Sequence, residues 1–299
     1  MTITLPSSVA ACLATFLNKR LTPAAYDFLL DASSEIRNGA PIDRRAQLFS
    51  LASRHARASD ALALDAAEQR LLATLGPTCN TAQWNQLETL RIALLLASPD
   101  IDTDAFAGVF DRGCRFADLG ESCALYRSLP LLPDGVRFVA RACEGCRTNM
   151  RPVFEAVACD SPYPARHFDD VSWRQLVIKA VFLDVPLWRV DGLDERLSPE
   201  LARMALDLVD ERRSAGRPVP PQLWLCLGAY PGERGLQALK EEVVTGGEPG
   251  QRGVLLALGR AGALDDDSAW LQRLLDAHAP FVRQARKARF TQRALQFIR

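Results

Sequence analysis

The sequence lacks most of what would announce a particular chemistry. Its 36 basic residues are matched by 36 acidic ones, so the formal net charge is zero. That excludes the global basic excess of a dedicated nucleic-acid binder. Histidine is scarce: His55, His167 and His278 lie far apart, and His167 reads as a turn histidine near Asp169 and Asp170. There is no P-loop, dinucleotide fingerprint, nucleophile elbow or HExxH, so neither a cofactor nor a metal is expected. The longest apolar runs, such as Ile92–Ala97 and Val177–Leu183, fall well short of the roughly 20 residues that span a bilayer. Met1–Ala14 has no basic segment ahead of its apolar stretch, which reads as no secretory signal and a cytoplasmic location. Strand-like alternation is nearly absent.

What the sequence does have is helical pattern. Apolar residues make up 48% and charged residues 24% of 299, enough for a sizeable core. The eight cysteines are scattered, and without an export signal they read as reduced, small buried hydrophobes. Periodicity and punctuation predict helices over Leu5–Asn18, Thr22–Ile36, Pro41–His55, Asp60–Leu75, Ala82–Leu96, Asp102–Arg112, Phe116–Ser128 and Asp134–Val157. Ser172–Leu183 and Pro199–Ala215 follow, then the shorter Pro220–Leu227, Gly232–Val244, Gly250–Gly262 and Asp267–Ala277. Thr22-Pro23 supplies an N-cap and a first-turn proline. Arg252–Ala263, followed by Asp265–Asp267, resembles the turn and second helix of a HEAT repeat. The expected fold is all-α: an irregular α-solenoid of HEAT-like helical hairpins, or alternatively a compact helical bundle. Three regions, 1–133, 134–230 and 231–299, form one continuous domain in this reading.

Charges in apolar settings mark the candidate sites. If Asp134–Val157 is one helix, Glu144, Arg147, Thr148 and Arg151 share a face that Glu155 continues. That face is either an exposed salt-bridged surface or a buried polar network. Lys179 sits in an otherwise apolar helix and must snorkel or meet a carboxylate, for which Glu144 and Glu155 are candidates. Pro162-Tyr163-Pro164 fixes a turn whose tyrosine either lines a pocket or plugs the fold. Cys143 and Cys146 form a CxxC, but no second pair completes a zinc site. Asp194, Arg196, Glu211, Arg212 and Arg217 are expected to form a structural charge network around the Gly192–Arg196 turn, with Gly216 as the C-cap of the helix before it. Beyond Asp276 there is no acid, while Arg283, Arg286, Lys287, Arg289, Arg293 and Arg299 remain. A helix over Pro280–Ile298 with Phe281, Val282, Ala285, Ala288, Leu295 and Ile298 on its apolar face either caps the fold or meets an anionic surface.

One ordered series of short motifs is more specific. It runs through Glu144-Gly145-Cys146-Arg147-Thr148-Asn149-Met150, Val153–Ala158, Pro162-Tyr163-Pro164, Trp173, Gln175-Leu176 and Lys179–Phe182. It continues with Gly192–Arg196, Pro199–Arg203, Glu211-Arg212, Ala215–Arg217 and Leu223-Trp224. With Arg115–Leu132 upstream, the series resembles the EboA family over the second and third quarters of the chain. The chain departs from the family pattern at Cys146, Arg174, Leu197-Ser198, Asp210 and Arg213, as a divergent member would. The resemblance implies an operon that also encodes a prenyltransferase-like membrane protein, a sugar-phosphate-cyclase-like protein and TIM-barrel-type proteins. It implies a part in making or moving a secondary metabolite toward the periplasm. The resulting expectation is a non-catalytic binding or scaffold protein; the alternative is an enzyme acting on a small anionic metabolite through Glu144, Arg147 and Lys179. Candidate ligand-binding residues are Glu144, Arg147, Asn149, Glu155, Tyr163, Gln175 and Lys179. Candidate partners are a small metabolite, the other operon proteins and, through the basic end of the chain, a membrane surface.

Overall fold

The computed structural model describes residues 5–75, 79–265 and 268–298. Asp266, Asp267 and Arg299, named above, lie outside the described residues. Among the described residues the regular elements are helical, with one isolated bridge between Ala61 and Asn85. The fold is all-α. Two compact units divide it, Met1–Asp169 and Asp170–Arg299.

The first unit contains α1 (Leu5–Asn18), α2 (Pro23–Arg37), α3 (Ile42–Leu51), α4 (Ala66–Leu75), α5 (Gln86–Leu96), α6 (Asp104–Phe116), α7 (Leu119–Ser128), α8 (Val139–Cys146), α9 (Arg151–Ala158) and α10 (Tyr163–His167). The pattern of α1 is direct: Val9, Cys12, Leu13, Phe16 and Leu17 recur at helical spacing and are all buried. They pack on α5, which also meets α2, α3 and α7. This central helix is buried on every side through Leu87, Leu90, Ile92, Ala93, Leu94 and Leu96. Asn85 caps it, accepting from the Glu88 N–H at 2.8 Å.

Two expected helices break in this unit, each for a local reason. Asp60–Leu75 becomes helical only at Ala66, because Arg20 takes the carbonyls of Leu62 (2.5 Å) and Ala63 (3.0 Å). Asp65 then caps α4, accepting from the Ala67 and Glu68 N–H groups, each at 2.8 Å. Asp134–Val157 is three pieces: a 3-10 turn at Gly135–Phe138, then α8, then α9. Pro152 has no N–H for the carbonyl of Thr148, so the helix ends and restarts with the proline in its first turn. The shared face expected for Glu144, Arg147, Thr148, Arg151 and Glu155 therefore does not exist as one helix surface.

The second unit contains α11 (Asp170–Phe182), α12 (Pro199–Ser214), α13 (Gly232–Thr245), α14 (Gly247–Arg260), α15 (Ala269–Ala277) and α16 (Ala279–Lys287), with 3-10 turns at Leu187–Arg189, Pro221–Leu227 and Gln292–Phe297. Its core holds Trp173 and Trp224. Arg196 stacks 4.8 Å above the first ring and Arg213 5.8 Å above the second. Two glutamine amides stand in for missing backbone neighbours. Gln222 donates to the Val185 carbonyl (3.1 Å) and accepts from the Leu187 N–H (2.8 Å). Gln292 donates to the Val190 carbonyl (2.9 Å) and accepts from the Leu193 N–H (3.1 Å). The helix expected over Pro280–Ile298 stops at Lys287. Arg289 and Phe290 take positive φ, and the turn brings the Phe290 ring onto Gly259, where any side chain would collide with it.

Candidate functional site

The first unit holds a groove of about 370 Å³ framed by α2, α3, α5, α6 and α7, inside the range of about 300–1,000 Å³ typical of small-molecule pockets. Its walls are Ile36, Ile42, Phe49, Leu94, Leu95, Phe106, Val109, Phe110 and Leu125. The amphipathic face of α6 supplies the aromatic side. Thr103 caps that helix, accepting from the Phe106 N–H at 3.3 Å. Phe116, on the rim at the end of α6, is 82% exposed.

A cluster of buried charges stands behind the α3 wall. Arg91, on the buried helix α5, donates through Nε to the Phe49 carbonyl at 3.2 Å, and its guanidinium lies 5.5 Å from the Phe49 ring centre. The same guanidinium is 3.6 Å from Glu121. Glu121 also accepts from the Ser50 hydroxyl at 2.6 Å and closes a capping box with Asp118. Glu88 sits 3.3 Å from Arg127. Burial pushes the Glu88 carboxyl above its ordinary value despite Arg127, and lowers the Arg91 guanidinium. At the other edge Arg45 bonds Asp100 at 2.5 Å and the Ala40 carbonyl at 2.7 Å. Arg91 and Arg45 thus hold the backbone around the groove as well as their carboxylate partners.

The residues singled out from sequence lie elsewhere. Glu144 and Arg147 form an exposed pair at 2.8 Å within α8 and the turn after it. Asn149 is exposed, and Glu155 bonds Arg151 at 2.7 Å along α9. Tyr163 is a plug: it is buried, donates its hydroxyl to the Gly135 carbonyl at 2.7 Å and packs against His167 and Phe168. In the second unit, Gln175 is exposed and Lys179 half-buried, with its ammonium 5.2 Å from the Phe182 ring centre. Asp194 accepts from the Gln292 backbone N–H at 3.0 Å and lies 3.4 Å from Arg260. Arg196 bonds Asp170 at 2.8 Å. Arg212 is half-buried, and Glu211 and Arg217 are exposed near the end of α12. All eight cysteines are free; burial raises the thiols of Cys114, to about 12, and of Cys146, which keeps them unreactive. Among the described residues, no group of three or more His, Cys, Asp or Glu is placed to hold a metal ion.

Sequence reasoning missed Arg91 and Glu88. The signal was present, since both are charges inside the apolar run Leu87–Leu96, the same pattern that drew attention to Lys179.

Among the described residues no helix is long and apolar enough to cross a membrane. A family model described as "Metabolite traffic protein EboA" matches residues 9–228, including the N-terminal helices that carried no recognised motif. No curated protein and no solved structure matches the chain.

Proposed function

The chain belongs to the EboA family of metabolite traffic proteins, and from that premise we propose that it binds and hands on a small metabolite without converting it. It works on the cytoplasmic side, as a carrier or scaffold for other proteins of its operon, in the making or traffic of a secondary metabolite toward the periplasm. The observation that carries this reading is the groove: apolar walls, a polar backing whose charges are already paired, and a volume suited to one small molecule. The exposed pair Glu144–Arg147 also supports it, because such surface pairs contribute only about 0–1 kcal/mol and are solvated rather than poised.

Native mass spectrometry of protein purified from its own host tests the reading. The expected result is a retained small molecule that leaves unchanged when the protein is warmed. Conversion of that molecule on the protein would favour an enzyme instead, and no bound mass from any growth condition would reject the carrier role.

The last described helix supplies a way to reach a membrane. Phe281, Val282 and Ala285 of α16 are buried, while Arg283, Arg286 and Lys287 are exposed and, among the described residues, have no carboxylate partner. The apolar face is used up in packing, so docking here is electrostatic. Each cation contributes at most about 1 kcal/mol near an anionic bilayer, and the contact is lost in high salt. Deleting the segment would also remove Gln292, so the suitable comparison is Arg283→Ser/Arg286→Ser/Lys287→Ser against the unaltered chain. Co-sedimentation with phosphatidylglycerol vesicles at low salt should fall in the variant; equal sedimentation leaves α16 a capping role only.

A further inference from the structure

The charge pattern of the groove constrains its ligand more than its shape does. Four charged side chains line it, two of each sign: Asp43, Arg45, Arg112 and Glu121. Arg45 is committed to Asp100, and Glu121 to Ser50 and Arg91. Asp43 and Arg112 are exposed and opposite in sign, so no net charge is left for an ionic ligand to neutralise. An anion placed against the apolar walls would lose its hydration and meet only Arg112, which is exposed and screened by solvent.

One polar group inside the groove is different. Ser98 is only 7% exposed, lines the groove, and its hydroxyl has no hydrogen-bond partner among the described residues. It comes just after Ala97, the C-cap of α5, and its backbone N–H donates to the Leu95 carbonyl in the last turn of that helix. The carbonyl end of a helix carries partial negative charge, which repels anions and favours hydrogen-bond donors. The Ser98 hydroxyl is open to the groove with its acceptor capacity unused by the protein, so a ligand donor can bond it.

We propose that the groove seats a neutral, largely apolar molecule that anchors one hydroxyl group on Ser98 and packs its body between α3 and α6. Phe116, exposed on the rim, is placed to cover such a body. This rests on the carrier reading above and adds the ligand class to it.

Three probes of equal ring size separate the alternatives: naphthalene, 2-naphthol and naphthalene-2-sulfonate, titrated by calorimetry into the full chain. The expected order has 2-naphthol binding one site about tenfold tighter than the sulfonate. Ser98→Ala should weaken 2-naphthol about fivefold and leave naphthalene unchanged. Ala46→Phe places a ring in the groove from an exposed position of α3 and should abolish binding of all three. Circular dichroism confirms that each variant is folded, and Val109→Trp fills the same space from α6 should Ala46→Phe not fold. Sulfonate binding as tight as 2-naphthol, with both lost in Ala46→Phe, overturns the ligand class and leaves the carrier reading standing. Binding indifferent to Ala46→Phe overturns the site. If no probe binds and no host molecule is retained, both readings fall.

Discussion

Two glutamates, one in each unit, are almost equally buried and behave in opposite ways. Glu68 of α4 is 4% exposed and Glu242 of α13 is 2% exposed. Glu68 accepts from Arg20 through both terminal nitrogens (2.5 and 3.1 Å), from Lys19 at 2.9 Å and from the Asp65 N–H at 3.1 Å. The Arg20 guanidinium above all, with Lys19 and Asp65 behind it, holds the Glu68 carboxyl at about 2 against its burial. Glu242 has Arg213 at 3.4 Å and lies against Gly246 and Gly250. Burial pushes its carboxyl up in spite of that arginine. Low exposure alone therefore does not decide what a buried acid does; how deeply the carboxyl is enclosed and how many charged donors it meets at short range do. Glu68 ties the end of α1 to the start of α4, whereas Glu242 fills space beside a glycine-lined helix junction.

The largest test of this contrast is Glu68→Gln at neutral pH, which strands Arg20 and should remove about 3 kcal/mol from the urea unfolding free energy. Glu242→Gln should cost less than about 1 kcal/mol, since the amide is easier to bury than the ion. Equal losses would break the comparison. Next comes Gly250→Ala, whose new methyl would sit 2.5 Å from the Glu242 carboxylate; overpacking there should cost about 1–3 kcal/mol, and a neutral result would mean that Glu242 does not need its place. The pH dependence sharpens the same point. Glu68 has a lowered value, so its contribution is complete above 4.5 and disappears as pH falls toward about 2. The penalty of Glu68→Gln should shrink over that window. Glu242 has a raised value, so the acid form is the favoured one, and the unaltered chain should gain on Glu242→Gln as pH falls. The smallest effect is Gly108→Ala, mid-helix in α6 with open space around it; it should add about 0.5–1 kcal/mol, and a loss there would show that α6 needs the flexibility.

The helical class and several helix ends were legible because local chemistry governs them. Thr22 and Ser198 cap α2 and α12 through their side chains, and the spacing in α1 is its buried face. The failures have long-range causes. Arg20 reaches across 42 positions to hold Leu62 out of a helix, and Gln292 reaches back to Leu193; neither partner is visible in a window of neighbours. Pro152 is the exception, a local signal within the Asp134–Val157 stretch that marks the restart at α9. The groove was not legible at all. Its residues run from Ile36 to Leu125 on five helices, each of which reads alone as an ordinary amphipathic segment. Only the charges inside α5 hinted that the wall at Phe49 was being held from behind.

Gln292 sets a schedule as well as a contact. The segment it clasps, Val190 to Asp194, emerges from a ribosome about 100 residues before the clasp does. At roughly 5–20 residues per second, those peptide groups spend about 5–20 s hydrogen-bonded to water instead. Their part of the second unit can close only after synthesis has run past the stretch that the family model matches, so the last helices act on the timing of folding upstream of themselves.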